Sequence, residues 1–296
     1  MLVVDEEDLM RGRSLARLAV AAMLAATTLA IGGSPASAAP AGRVNDPACV
    51  PGEAHPNPVV LLHGLGANRY EDLNVLQGWL AGRGYCTFAE TYGAYPGFPL
   101  VGGLRPIADS APDIGAYIRQ VQDWTGAERV DVVGHSEGGF QSLYVTKTQG
   151  VADLVGAVVA IAPPTHGTSF GGLHTLARTS GADEGVDGAL GIFGCPACGD
   201  LVVGGPAVQT LEDGPIAQPG VDYTVITSRN DRLVTPTETS FVREPGVVNR
   251  YVQDFCPFDP VGHIGEAYDT NVWNMVANGL EGTPDRRFVC TAGLPG

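Results

Sequence analysis

Ser136, Asp231 and His263 are the residues of this chain whose types and order point to one chemistry. Ser136 is the centre of Gly134-His135-Ser136-Glu137-Gly138, straight after the apolar run Val130 to Val133 and ahead of a helix-like stretch. A strand-to-helix turn that tight strains its central residue and demands glycine two positions to either side, which lifts a serine hydroxyl clear as a nucleophile. In a chain with 41 glycines the pentapeptide alone is weak evidence. A nucleophilic serine also needs a base for its proton and an acid to hold that base. Asp231 lies three residues beyond the apolar run Tyr223 to Ser228, and His263 closes Asp259-Pro260-Val261-Gly262-His263. Taken singly, Asp231 beside Arg229 and Arg232 reads as a surface charge, and His263 as a loop histidine.

Acyl transfer further requires fixed N–H donors for the oxyanion of the tetrahedral intermediate. The turn supplies one from Glu137. The loop His63-Gly64-Leu65-Gly66, placed directly after the apolar run Val59 to Leu62, supplies the second from Leu65. An acid at position 137, next to that oxyanion, raises the expectation of slowed ester attack. The remaining histidines have weaker claims. His63 and His135 read as structural supports, His166 as a pocket residue out of order, and His55 and His174 lie in regions without pattern.

Short apolar runs alternate with amphipathic helical patterns, and these elements must position the site. Strands are predicted at Val59 to Leu62, Tyr85 to Ala89, Val130 to Val133, Leu154 to Ile161, Tyr223 to Thr227 and Arg250 to Gln253. Helices are predicted around Leu73 to Leu80, Ile107 to Trp124, Phe140 to Thr148 and Gly265 to Ala277. Strands apolar on both faces imply a mainly parallel sheet covered by helices on each side, with the ligand site beyond the carboxyl ends. The order Ser136, Asp231, His263 is the one expected of an α/β-hydrolase, here a reduced core starting near residue 58. Thr165 to Gly220 breaks the rhythm and is either a lid or cap, or a floppy insertion.

Residues 1–38 read as a secretory signal, with Arg11, Arg13 and Arg17 ahead of the apolar run Leu18 to Leu29 and Ala36-Ser37-Ala38 at the cleavage point. Asp5 to Asp8 sit oddly before that basic region, so translation is expected to begin at Met10. Residues 39–57 form an extended lead-in, and 58–296 the single hydrolase domain. Removing the signal takes away four acids and three arginines, moving the formal charge from −15 to −14. Such acidity argues against nucleic acid and against docking on anionic lipid. No later stretch approaches the ~20 apolar residues of a transmembrane segment. Cys49, Cys86, Cys195, Cys198, Cys256 and Cys290 all follow the signal, an even number suited to disulfides in an exported chain. Cys195-Pro196-Ala197-Cys198 alone is open to three readings, a redox pair, half a zinc site or a structural bridge, and without a second CxxC or a histidine pair the structural bridge is favoured. No metal site is expected: Asp183, Glu184 and Asp187 cluster without EF-hand spacing.

Val59-Val60-Leu61-Leu62-His63-Gly64-Leu65-Gly66, Gly134 to Gly139, Asp231-Arg232-Leu233-Val234-Thr235-Pro236 and Gln253-Asp254-Phe255-Cys256-Pro257 leading to Gly262-His263 resemble secreted actinobacterial class 2 lipases. The resemblance spans most of residues 58 to 290. It implies Ser136, Asp231 and His263 as catalytic residues, Leu65 and Glu137 as oxyanion donors, no cofactor, and an acyl ester or lipid substrate met at a lipid interface. Tyr92, Tyr95, Phe98, Leu100 and Val101 then become either an acyl wall, core packing or an exposed loop. Through the expected sheet, Cys49 pairs with Cys86, Cys195 with Cys198, and Cys256 with Cys290. A cutinase-like polyester hydrolase, an acyltransferase and a silent lipid-binding module are the alternatives to a lipase.

Overall fold

Strand β1 (Val59–Leu62) is apolar at all four positions and wholly buried, as a strand must be when helices cover both faces of its sheet. The computed structural model describes residues 42–169 and 194–294. After β1 come α1 (Asn74–Ala81), β2 (Thr87–Ala89), α2 (Ile107–Thr125), β3 (Val130–His135), α3 (Glu137–Thr148) and β4 (Val155–Ile161). Then follow α4 (Pro196–Asp200), α5 (Pro206–Glu212), β5 (Asp222–Thr227), β6 (Val247–Tyr251), α6 (Val252–Phe255) and α7 (Thr270–Leu280). The six strands form one sheet in the order β2-β1-β3-β4-β5-β6, every pair parallel.

Successive side chains of a strand point to opposite faces, and here the two faces build two cores. Val60, Leu62 and Val132 pack with Ile114 and Ile118 of α2 and Phe140 and Leu143 of α3. Val59, Leu61 and Val133 pack with Leu76 and Leu80 of α1 and Val272 and Val276 of α7. Truncating a wholly buried side chain such as Phe140 to alanine would cost about 3–5 kcal/mol.

Two elements near the end of the chain depart in placement from the sequence reading. The last strand is Val247–Tyr251 rather than Arg250 to Gln253; it is half-exposed throughout, and Asn249 and Arg250 mask its pattern. The last helix is split: a 3-10 turn spans Gly265–Ala267, and α7 starts afresh at Thr270, where the Asp269 carboxylate accepts from Asn271 N–H at 2.7 Å.

The lead-in runs beside β2, where Val44 bridges to Thr87 in parallel and Thr87 N–H donates to the Arg43 carbonyl at 2.9 Å. The described part of the long insertion is firmly fastened. Ala197, Cys198, Leu201, Val208 and Leu211 are buried in the core on the α2 and α3 side, and Asp200 accepts from Ile107 N–H at 2.8 Å. Residues 1–41, which hold the predicted signal, and residues 170–193 of the insertion lie outside the described residues. Asp183, Glu184, Asp187 and His174 fall there too. Disulfides join Cys49 to Cys86, Cys195 to Cys198 and Cys256 to Cys290.

Candidate active site

Ser136 occupies the single-residue turn between β3 and α3, with φ +55° and ψ −119°, a conformation that costs a non-glycine residue of order 1–3 kcal/mol. Its surroundings impose that turn. A Cβ on Gly138 would lie 2.0 Å from the Leu62 carbonyl oxygen, and one on Gly134 would lie 2.0 Å from that of Gly138. Ser136 N–H donates to the Ile161 carbonyl at 2.8 Å, tying the turn to the end of β4.

Loops beyond the carboxyl ends of the strands bring the other two predicted residues to the serine. His263 Nε2 stands 2.8 Å from Ser136 Oγ, and His263 Nδ1 stands 2.7 Å from Asp231 Oδ2. A carboxylate can only accept, so Nδ1–H donates to Asp231 and leaves Nε2 to accept the serine proton. Asp231 Oδ1 accepts from Leu233 N–H at 2.8 Å and Val234 N–H at 3.0 Å. Burial opposes charge on Asp231, yet His263 and these two donors outweigh it and hold its carboxyl below the ordinary value. All three residues are buried.

The loop after β1 lies against the serine: a Cβ on Gly64 would come within 3.3 Å of Ser136 Cβ. Among the described residues, neither Leu65 N–H nor Glu137 N–H has a hydrogen-bond partner. His63 backs this loop. Its Nδ1–H donates to the Gly64 carbonyl at 2.8 Å, Tyr92 N–H donates to its Nε2 at 3.3 Å, and burial lowers its pKa to about 4. Tyr92 stacks on that ring and its hydroxyl donates to the His63 carbonyl at 2.7 Å. Val101 is buried, Leu100 is exposed, and Tyr95 and Phe98 are half-buried against the core. His166 is engaged with Glu212 and the Phe241 carbonyl.

Glu137 answers the concern its sequence position raises. Its carboxyl is buried, has no hydrogen-bond partner among the described residues, and is pushed well above the ordinary range by burial and then by Asp200. Burial thus favours the protonated carboxyl over a negative charge beside the Glu137 N–H.

Sequence reasoning missed Asp72 and Glu266. Glu266 is wholly buried, and burial and then the Asp231 charge push its carboxyl well above the ordinary range, against the opposing pull of the Ser228 backbone. One donor atom each of His135, His263 and Glu266 lies within 4.8 Å of the others. Every ring nitrogen of the two histidines is engaged in a hydrogen bond within the site. Asp72 accepts from Gly64 N–H at 2.7 Å and from His135 at 2.8 Å. Only the tertiary fold brings it there; the local run Tyr70-Glu71-Asp72 carries no signal.

A parallel six-stranded sheet flanked by helices, with a strained residue at the turn from β3 to α3, defines the α/β-hydrolase fold. The family model for class 2 lipases matches residues 56–271, and the chain belongs to that family. Triacylglycerol lipases of Pseudarthrobacter phenanthrenivorans and Burkholderia plantarii are 33% and 34% identical to it over 119 residues. Those alignments take in 38% of this chain and 34% and 31% of the relatives, so the chain spans about a third of the length of the curated relatives it matches. Among solved structures, Aspergillus fumigatus lipase B is similar with a TM-score of 0.59 at 17% identity, over 78% of this chain and 55% of that one. A metagenome-derived lipolytic enzyme from the study of LipS and LipT is similar with a TM-score of 0.52 at 15% identity, over 82% of this chain and all of that one. These two likenesses carry the fold alone.

Proposed function

We propose that this chain is an exported serine carboxylester hydrolase, a lipase that cleaves triacylglycerols or similar acyl esters through an acyl-enzyme. The observation that carries the reading is the unbroken line from Ser136 Oγ through His263 to Asp231, at 2.8 and 2.7 Å, on a strained turn. Ser136 Oγ attacks the ester carbonyl carbon while its proton passes to His263 Nε2, and Asp231 steadies the imidazolium. Leu65 and Glu137 N–H, both free among the described residues, receive the oxyanion. Collapse breaks the bond to the alcohol, which leaves with the proton from His263. Water then attacks the acyl-serine carbonyl while its proton passes to His263; collapse breaks the acyl–Oγ bond, His263 returns the proton to Ser136 Oγ, and the carboxylic acid is released.

The names of the two triacylglycerol lipases support the choice of acyl esters. Three disulfides and the absence of a helix long and apolar enough to cross a membrane among the described residues agree with export. Ser136→Ala is expected to lose ester hydrolysis and labelling by a fluorophosphonate while keeping its fold; retained turnover of tributyrin or of longer triacylglycerols would falsify the assignment. Intact mass of protein recovered from culture medium should place the mature start near Ala39, and a species retaining residues 1–38 would contradict export by that signal.

A further inference from the structure

We propose that Asp72 and His135 form a second relay, which positions at once the loop offering Leu65 N–H and the backbone carrying His263. The inference rests on the catalytic assignment proposed above. Asp72 Oδ2 accepts from Gly64 N–H at 2.7 Å, one residue before Leu65. Asp72 Oδ1 meets His135 Nδ1 at 2.8 Å, and His135 Nε2 meets the carbonyl oxygen of His263 at 2.9 Å. Two loops far apart in sequence are thereby joined through a carboxylate and an imidazole, each within one residue of an atom needed for the reaction.

The proton inventory makes this an ion pair. A carbonyl only accepts, so Nε2–H must donate to His263; an ionised Asp72 only accepts, so Nδ1–H must donate as well. His135 is therefore imidazolium. Burial opposes charge on both groups, but their mutual attraction outweighs it, holding Asp72 below and His135 above their ordinary values. A buried pair is tolerable only when its remaining hydrogen bonds are completed, and here both lead to backbone of the site. Asp72 also adopts φ +62°, rare for a residue with a side chain, and its own N–H donates to the Tyr268 hydroxyl at 2.9 Å. A neutral amide would suffice to cap one loop N–H. A strained, charged residue linked to a protonated histidine does what a cap need not: it fixes the distance between oxyanion donor and base.

The test is ester kinetics on the full chain for Asp72→Asn, His135→Gln and the double variant, with Ser136→Ala alongside. Fluorophosphonate labelling counts folded sites by its amplitude. Misplacing a reacting group by about 1 Å costs on the order of a hundredfold, so each single variant should lower kcat roughly ten- to a hundredfold with KM changed less than about twofold. The double variant should be no worse than the worse single, because the pair acts as a unit. Wild-type kcat in variants that label fully, a loss confined to KM, or effects that multiply would overturn the relay. Where neither single variant labels, Tyr268→Phe decides: kcat lowered severalfold at unchanged KM supports it, and wild-type kcat overturns it. Hydrolysis surviving in Ser136→Ala instead sinks the catalytic assignment, which separates the two failures.

Discussion

The carboxyl of Glu137 fills the space that a side chain on Gly103 would need: a Cβ there would lie 2.4 Å from Glu137 Oε2. The acid is thus packed against backbone, with burial keeping it protonated. Glu137→Gln should leave kcat within severalfold of wild type, since the residue serves through its N–H. Because the folded-state pKa is raised, the wild type is at full relative stability below the unfolded value of ~4.3 and loses stability as pH rises above it. The amide variant lacks that loss. Its advantage in Tm should therefore widen from pH 5 to pH 8, by about 2–4 °C for each kcal/mol. An advantage that does not grow with pH would show that Glu137 is not buried as a neutral acid.

Asp231→Asn should cost on the order of a thousand- to ten-thousandfold in kcat with little change in fold. The amide nitrogen facing His263 Nδ1 favours the tautomer with hydrogen on Nε2, which cannot accept from Ser136. Steady-state kinetics at neutral pH decide; a loss below about tenfold would remove Asp231 from the proposed triad.

Asp131 is held up to about 7 by burial, even though its Oδ1 accepts from Asn57 at 2.9 Å and from Ala157 N–H at 2.9 Å. Below pH ~4 both folded and unfolded chains keep the proton, so no stability is lost there; between pH ~4 and 7 only the unfolded chain releases it, and stability falls. Asp131→Asn retains an acceptor and should flatten the Tm profile across that window, gaining up to a few kcal/mol near pH 7. Thermal melts of both proteins from pH 4 to 8 provide the check, and parallel profiles would refute the assignment.

The disulfides should differ in worth according to the loops they close. In the chain-entropy picture, the 37- and 34-residue separations of Cys49–Cys86 and Cys256–Cys290 correspond to about 4 kcal/mol each, and the three-residue separation of Cys195–Cys198 to about 2. Cys256–Cys290 also anchors the segment that leads into His263. Replacing that pair by serine should reduce ester turnover before it reduces helical circular dichroism, whereas replacing Cys195 and Cys198 should spare turnover. The reverse ranking would contradict this account.

Much of the fold was legible because a buried parallel sheet leaves uninterrupted apolar runs, as at Val59 to Leu62 and Val130 to Val133. Strand β6 was misplaced because an edge strand keeps one side wet and tolerates Asn249 and Arg250. The proposed nucleophile, acid and base were readable from their turn and order along the chain. Asp72 and Glu266 were not: each meets its neighbours only in the fold, Asp72 at His135 and Glu266 near Asp231. Neither belongs to a local pattern. The upward push on the Glu137 carboxyl was equally hidden, since burial and not residue type decides it.

The strap formed by Arg43, Val44 and Asn45 covers the outer side of β2, with Asn45 N–H donating to the Thr87 carbonyl at 2.8 Å. An uncovered border strand is a template on which another polypeptide can add by main-chain pairing. The proposed cleavage near Ala39 leaves these residues in place. Trimming a few positions further in, past Asn45, would strip the guard from that border and open β2 to self-association, so the place of any N-terminal cut would bear on solubility as well as on the proposed export.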